Sequence, residues 1–371
     1  MSFYDEPFDP NSARGSELME IAIVGIVDKT SLKRLVVSVG VAEIDINWDQ
    51  TVREIWGDVL ERVARVHLVR QFLLAVEADD NFATVKQRIV ALRFACDAEV
   101  AAEQAAGVAA SPPTLEELSQ TTLVGPRPFV NRSTLRHNLV SLFGPDGIRT
   151  MVVGGPRSSG RSYTWVLASH VARRFANMAT TLINLSRFTD TQANPVDVAH
   201  MIANSLGWTD WPDVKSLDPS AQDATNARIL RPQLVRRLGS LDPTCLVFDG
   251  LDGSNLTEAA VALVGDIAAA AGNDELGECR VVLLAYNRAI PNPNVDPFVL
   301  REPLASEIPL KEVKQYFVDV AKDANTKLTK AQVNAFVTEL FGKPAPDPVP
   351  VAAMRAKAAE LSRVARGLRG V

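Results

Sequence analysis

The chain has 371 residues, 47% of them hydrophobic and 22% charged, and a net charge of −5 at neutral pH. That is long enough for two or three domains, each burying its own core, and the mild acidity supplies no global pull toward nucleic acid or an anionic membrane. The three cysteines (Cys96, Cys245, Cys279) show neither zinc spacing nor C-x-x-C, and the four histidines make no H-E-x-x-H. This argues against a zinc hydrolase and fits a reduced, cytoplasmic setting.

Residues 1–15 are polar and acidic, lack the apolar stretch of a secretory signal, and read as a flexible tail. No run reaches the roughly 18 apolar residues a membrane helix needs. Residues 16–98 read as a bundle of about four to six short helices. The clearest is "TVREIWGDVLERVARV", where Val52, Ile55, Trp56, Val59, Leu60, Val63 and Val66 recur with a 3.6-residue period, and Asp49 is the expected N-cap. "FATVKQRIVALRFAC" repeats the pattern with Val85, Ile89, Leu92 and Cys96, and "SLKRLVVSVG" stops at Gly40. "ELMEIAIVGIV" is apolar nearly all round and fits a buried helix or a strand. Residues 99–122 are Ala-rich and then carry Ser111-Pro112-Pro113, a helix tail passing into a linker.

From residue 123 strands and helices alternate, which predicts an α/β domain over 123–305 with a parallel sheet. "IRTMVVGG", "TTLINLS", "TCLVF" and "CRVVLLAY" are the expected strands; being continuous apolar runs, they belong to a sheet covered on both faces. "RSYTWVLASHVARRFA", "NPVDVAHMIANSLG" (Asn194 as cap, Pro195 at the first position), "ARILRPQLVRRLG" with an internal proline, and "NLTEAAVALVGDIAAAAG" are the expected helices. Residues 306–371 read as a small helical appendage: two amphipathic helices, a break at "KPAPDPVPV" and one last helix with a basic end.

"GGPRSSGRSYT", residues 154–164, carries the chemistry. It follows a strand and opens a helix, with Gly155 and Gly160 at the spacing of the phosphate-loop pattern G-x-x-x-x-G-K-[ST]. Such a loop turns backbone N–H groups and a helix N-terminus toward phosphate. The expected contacts run through Gly155, Pro156, Arg157, Ser158, Ser159, Gly160, Arg161, Ser162 and Tyr163, and the Ser162 hydroxyl is a Mg²⁺ ligand. Arg161 replaces the lysine of the pattern. It keeps the charge but not the compact ammonium, so nucleotide binding is expected to outlast hydrolysis, leaving at most a slow ATPase. Downstream, "TCLVFDGLD" ends a buried strand on Asp249, a Mg²⁺ position, followed by Asp252, placed to align or deprotonate a water; the alternative is an acidic capping turn. Asn287 and Arg288 end the next strand and either sense a terminal phosphate or form a solvated strand end. Expected cofactors are ATP or ADP with Mg²⁺, and Asp249, Asp252 and Arg288 are the expected catalytic residues.

"PFVNRSTLRHNLVSLF", "GGPRSSGRSYT", "CLVFDGLD" and "LLAYNR" occur in that order. As an ordered set they resemble the STAND/AAA+-like signalling P-loop NTPases of bacterial conflict systems, over residues 123 to about 322. The resemblance implies that Phe129, Val130 and Arg132 lie beside the adenine, with Asn131 and Ser133 departing from the family's Gly and acid, and that 306–371 forms a helical lid. Residues 16–98 resemble the effector-associated, death-like helical domains found beside such ATPases. This implies homotypic pairing with an effector protein, a homo-oligomer, and a nucleotide-regulated signalling switch or adaptor in bacterial antiviral defence. The competing readings are an AAA+-type motor or remodeller and a nucleotide-independent scaffold with a degenerate loop.

Overall fold

The computed structural model describes every residue except 1–2, 5–7, 9, 11, 26–27, 40–45, 66–67, 110–122, 125–126, 131, 145–146, 188–191, 209–222, 254 and 370–371. The chain divides into two compact units, Met1–Ser111 and Pro112–Val371. The expected stop at Gly40 and the Ser111-Pro112-Pro113 linker fall outside the described residues.

The first unit contains five helices among the described residues: α1 (Ala13–Val24), α2 (Lys29–Ser38), α3 (Val52–Arg65), α4 (Val69–Ala78) and α5 (Lys86–Ala109). "ELMEIAIVGIV", open between helix and strand, belongs to α1, capped by Ser12, whose side chain accepts from the Gly15 N–H. The stripe of α3 is the heart of the unit's core. Ile55, Trp56, Val59, Leu60 and Val63 are all buried, and Trp56 meets Phe72 and Phe82 edge-on at 6.1 and 6.2 Å. Asp49 is not the cap of α3. Thr51 is: its hydroxyl accepts from the Glu54 N–H, and the Glu54 carboxylate accepts from the Thr51 N–H, a reciprocal box that Asp49 stands too far upstream to make.

The 1–15 tail is tied down at Tyr4, which is buried and donates its hydroxyl to Arg93 O at 3.0 Å and to Asp97 Oδ1 at 2.9 Å. At the other end, α5 runs on to Ala109, so the Ala-rich start of 99–122 is the helix tail its sequence suggested. An alanine-rich stretch has the best intrinsic helix propensity, and Gly107 costs only about 1 kcal/mol within it.

The second unit has a five-stranded, all-parallel sheet in the order β4 (Ala179–Asn184), β5 (Thr244–Asp249), β6 (Arg280–Leu284), β3 (Thr150–Gly154), β7 (Leu300–Pro303). Strand alternation splits its side chains between two cores. Met151, Val153, Val247 and Leu284 pack with α6 (Ser133–Phe143) and α7 (Thr164–Ala176). Val152, Leu246, Phe248 and Leu283 pack with α8 (Pro195–Ser205), α9 (Asp223–Leu238) and α10 (Glu258–Gly272). Asn194 caps α8 in a full box with Asp197, and Pro232 lies inside α9, as their sequences suggested.

The α/β part also holds a two-residue ribbon, β1 (Leu123–Val124) with β2 (Arg127–Pro128). Residues 306–371 belong to the same unit but carry a core of their own. β8 (Glu307–Ile308) pairs with β9 (Val349–Pro350), and α11 (Leu310–Asp323), α12 (Lys330–Phe341), α13 (Val351–Ala356) and α14 (Ala358–Arg369) surround Val313, Phe317, Val320, Val337 and Leu361. The expected single last helix is two, divided at Lys357.

Candidate functional site

The carboxyl ends of β3 and β5 meet at one edge of the sheet, with β6 between them. β3 is also where the chain changes direction across the sheet, since β4, β5 and β6 lie on one side of it and β7 on the other. In an open α/β sheet that place is the preferred crevice for ligands.

The loop that leaves β3 is held in a conformation few residues accept. Gly155 has φ 126°, and a Cβ there would sit 2.4 Å from Leu304 O. Gly160 has φ 84° and Ser158 φ 67°. A 3-10 turn at Arg161–Tyr163 then leads into α7. Among the described residues, no acceptor is bonded to the backbone N–H groups of Arg157, Ser158, Gly160, Arg161 or Ser162. In the loop and at the start of α7, the hydroxyls of Ser159 (0% exposed) and Thr164 (1% exposed) have no hydrogen-bond partner among the described residues. Buried hydroxyls and curled N–H groups without acceptors form a concavity suited to an anion.

Around the loop stand the residues the sequence nominated. Ser162 and the Gly250 N–H both bond the Asp249 carboxylate, the latter at 2.9 Å. Burial raises the Asp249 pKa above the ordinary carboxylate value, and those two bonds pull against that rise. Arg161 Nη2 donates to Asp252 Oδ2 at 2.6 Å, so the acid expected to handle water is engaged by the arginine that replaces lysine. Phe129 stacks on Tyr163 with ring centroids 4.8 Å apart and planes at 29°. Arg132, at φ 84°, donates to Ser159 O and so grips the loop from outside. Its guanidinium is buried, which lowers its pKa, while Glu302 and Glu312 act in the opposite sense.

Not every nominated residue converges here. Val130 turns into the core of the C-terminal helices. Arg288 bonds Glu258 in the first turn of α10 at 3.2 Å, and Pro156 and Arg157 are exposed. No family model matches this chain, and no curated protein does.

Sequence reasoning missed Thr164 and Glu302. Thr164 closes the quoted stretch 154–164 but follows Tyr163, the last nominated contact, and nothing in its residue type singled it out. Glu302 lies in β7, accepts from Asn138 Nδ2 at 3.0 Å and is 9% exposed. Nothing in "LREP" marks a buried acid.

Proposed function

We propose that the second unit binds a nucleoside polyphosphate with Mg²⁺ at residues 155–162, and that the bound state serves as a signalling switch. The observation that carries this reading is the loop itself: five backbone N–H groups and two buried hydroxyls without partners, at the C-terminal end of β3 and beside the acidic end of β5. The residues fit the group. Phosphate oxygens would accept from the loop N–H groups and from Ser159. Ser162 and Asp249 already touch, and a hard cation held by one hydroxyl, one carboxylate and phosphate oxygens suits them. When bound, Mg²⁺ would neutralise phosphate charge. Ser162 and Asp249 would orient it, and the N–H groups would fix the phosphates.

Arg161 held on Asp252 favours binding over turnover, because the water-handling carboxylate is neutralised by its own loop. A motor, which needs fast hydrolysis, is therefore the poorer reading. The five-helix unit supports an adaptor role by its size and independent core: it is a separate body that a nucleotide-dependent assembly would present to a matching helical domain on an effector. The signalling family named by resemblance, its lid and its role in bacterial defence remain part of this proposal, resting on the ordered motifs. The test is calorimetric titration with ATP and ADP, with and without Mg²⁺, beside size-exclusion chromatography in each state. Binding with a nucleotide-dependent change of size supports the switch. Binding with no change of size leaves only a scaffold, and turnover of many per second restores the motor.

A further inference from the structure

Arg161, the side chain the loop would offer to phosphate, is already engaged. Its bond to Asp252 joins residues 91 apart in sequence, with side chains only 12% and 23% exposed. One comes from the turn that opens α7, the other from the turn that follows β5. A charge-assisted bond of this length is among the stronger contacts available to a side chain. The same arginine belongs to the turn that presents unpaired N–H groups and the orphan Ser159 and Thr164 hydroxyls. Two demands therefore bear on one guanidinium: a carboxylate it now holds, and an anion for which the loop around it has donors to spare. Asp252 also repels any anion that approaches. A ligand must bring enough negative charge to win both contests.

Resting on the reading of the loop as a phosphate site, we propose that the Arg161–Asp252 pair is a latch that polyphosphate undoes. The anion draws the guanidinium into the loop, and Asp252, with the turn from Gly250 to Gly253, is released. The latch sets the ligand class by charge: nucleoside di- and triphosphates or inorganic tripolyphosphate open it, and a nucleoside monophosphate does not. It also makes the released turn, at the sheet edge beside Asp249, the part of the unit that reports occupancy.

The test is calorimetric titration of the full chain with ATP, AMP and tripolyphosphate, in Mg²⁺ and in EDTA, with hydrogen exchange followed at residues 250–253. Asp252→Asn, and Asp252→Ala as a second variant, should bind ATP and tripolyphosphate about five-fold more tightly than wild type, the size of one released ion pair. In an Arg161→Ala background the same substitutions should give a clearly smaller gain, that of removing the repelling charge alone. In wild type, ATP should speed exchange in the turn while AMP leaves it unchanged, a readout that needs no variant. If wild type binds ATP but Asp252→Asn and Asp252→Ala leave affinity unchanged or lower it, the latch is wrong and the loop reading stands. If neither wild type nor the Asp252 variants bind ATP or tripolyphosphate, the loop reading falls and takes the latch with it.

Discussion

Asp249 shows what burial does to a carboxyl at the proposed site. Its carboxyl is buried at a strand end, so its native pKa lies above the unfolded value of 3.8. Between those two values the native state binds more protons than the unfolded chain, and stability falls as pH rises through that window. Asp249→Asn should remove this slope. At pH 7 the variant should melt higher than wild type while its Mg²⁺-dependent nucleotide affinity drops; thermal melts at pH 4 to 7 beside titrations read both. Gly155 is the opposite case, with no side chain to contribute and no room for one. A Cβ would strike Leu304 O at 2.4 Å on a backbone already at φ 126°, so Gly155→Ala should cost about 1–3 kcal/mol and abolish binding. A chemical denaturation curve that matches wild type would overturn this account of the loop. The loop was legible in the sequence because glycine spacing reports backbone conformation directly. The Arg161–Asp252 pair was not, because nothing local records a contact across 91 residues.

Among the elements, those that announced themselves had strong periodicity or punctuation. The α3 stripe as far as Val63 (Val66 lies outside the described residues), the Asn194–Pro195 start of α8 and the four apolar strands lie where their patterns put them. β7 did not announce itself. Its four residues include Arg301, Glu302 and Pro303, because an edge strand pairs on one side and need not be apolar throughout. The cap of α3 was misplaced by two residues because Asp49 and Thr51 are both good cap residues, and only the box with Glu54 separates them. The distinction is testable by urea unfolding. Thr51→Ala should cost about 1 kcal/mol and Asp49→Ala almost nothing. Trp56→Ala, which opens the centre of the α3 stripe against Phe72 and Phe82, should cost about 3–5 kcal/mol.

For the whole molecule, the division at residues 111 and 112 makes a prediction that needs no nucleotide. A fragment of residues 1–111 should fold alone, with a single cooperative melt and the helical circular dichroism of five helices, since its core of Leu18, Ile21, Trp56, Phe72, Phe82 and Leu92 is closed within it. A fragment that stays unfolded at any salt would mean the first unit depends on the second. The sequence went astray at the unit's N-terminal edge. Tyr4 lies in a stretch whose composition reads as tail, and it is anchored by a residue on α5 some ninety positions away. The Ala-rich run at the other edge did announce the tail of α5, though not its last residue.

Phe129 and Val130 are neighbours in the chain that enter different interiors, one beneath the sheet and one among the C-terminal helices. No slack separates them. Inserting or deleting a single codon beside them would put each side chain on the wrong side, whereas conservative exchange of either residue would be absorbed by its own surroundings. This junction should therefore tolerate changes of letter far better than changes of length.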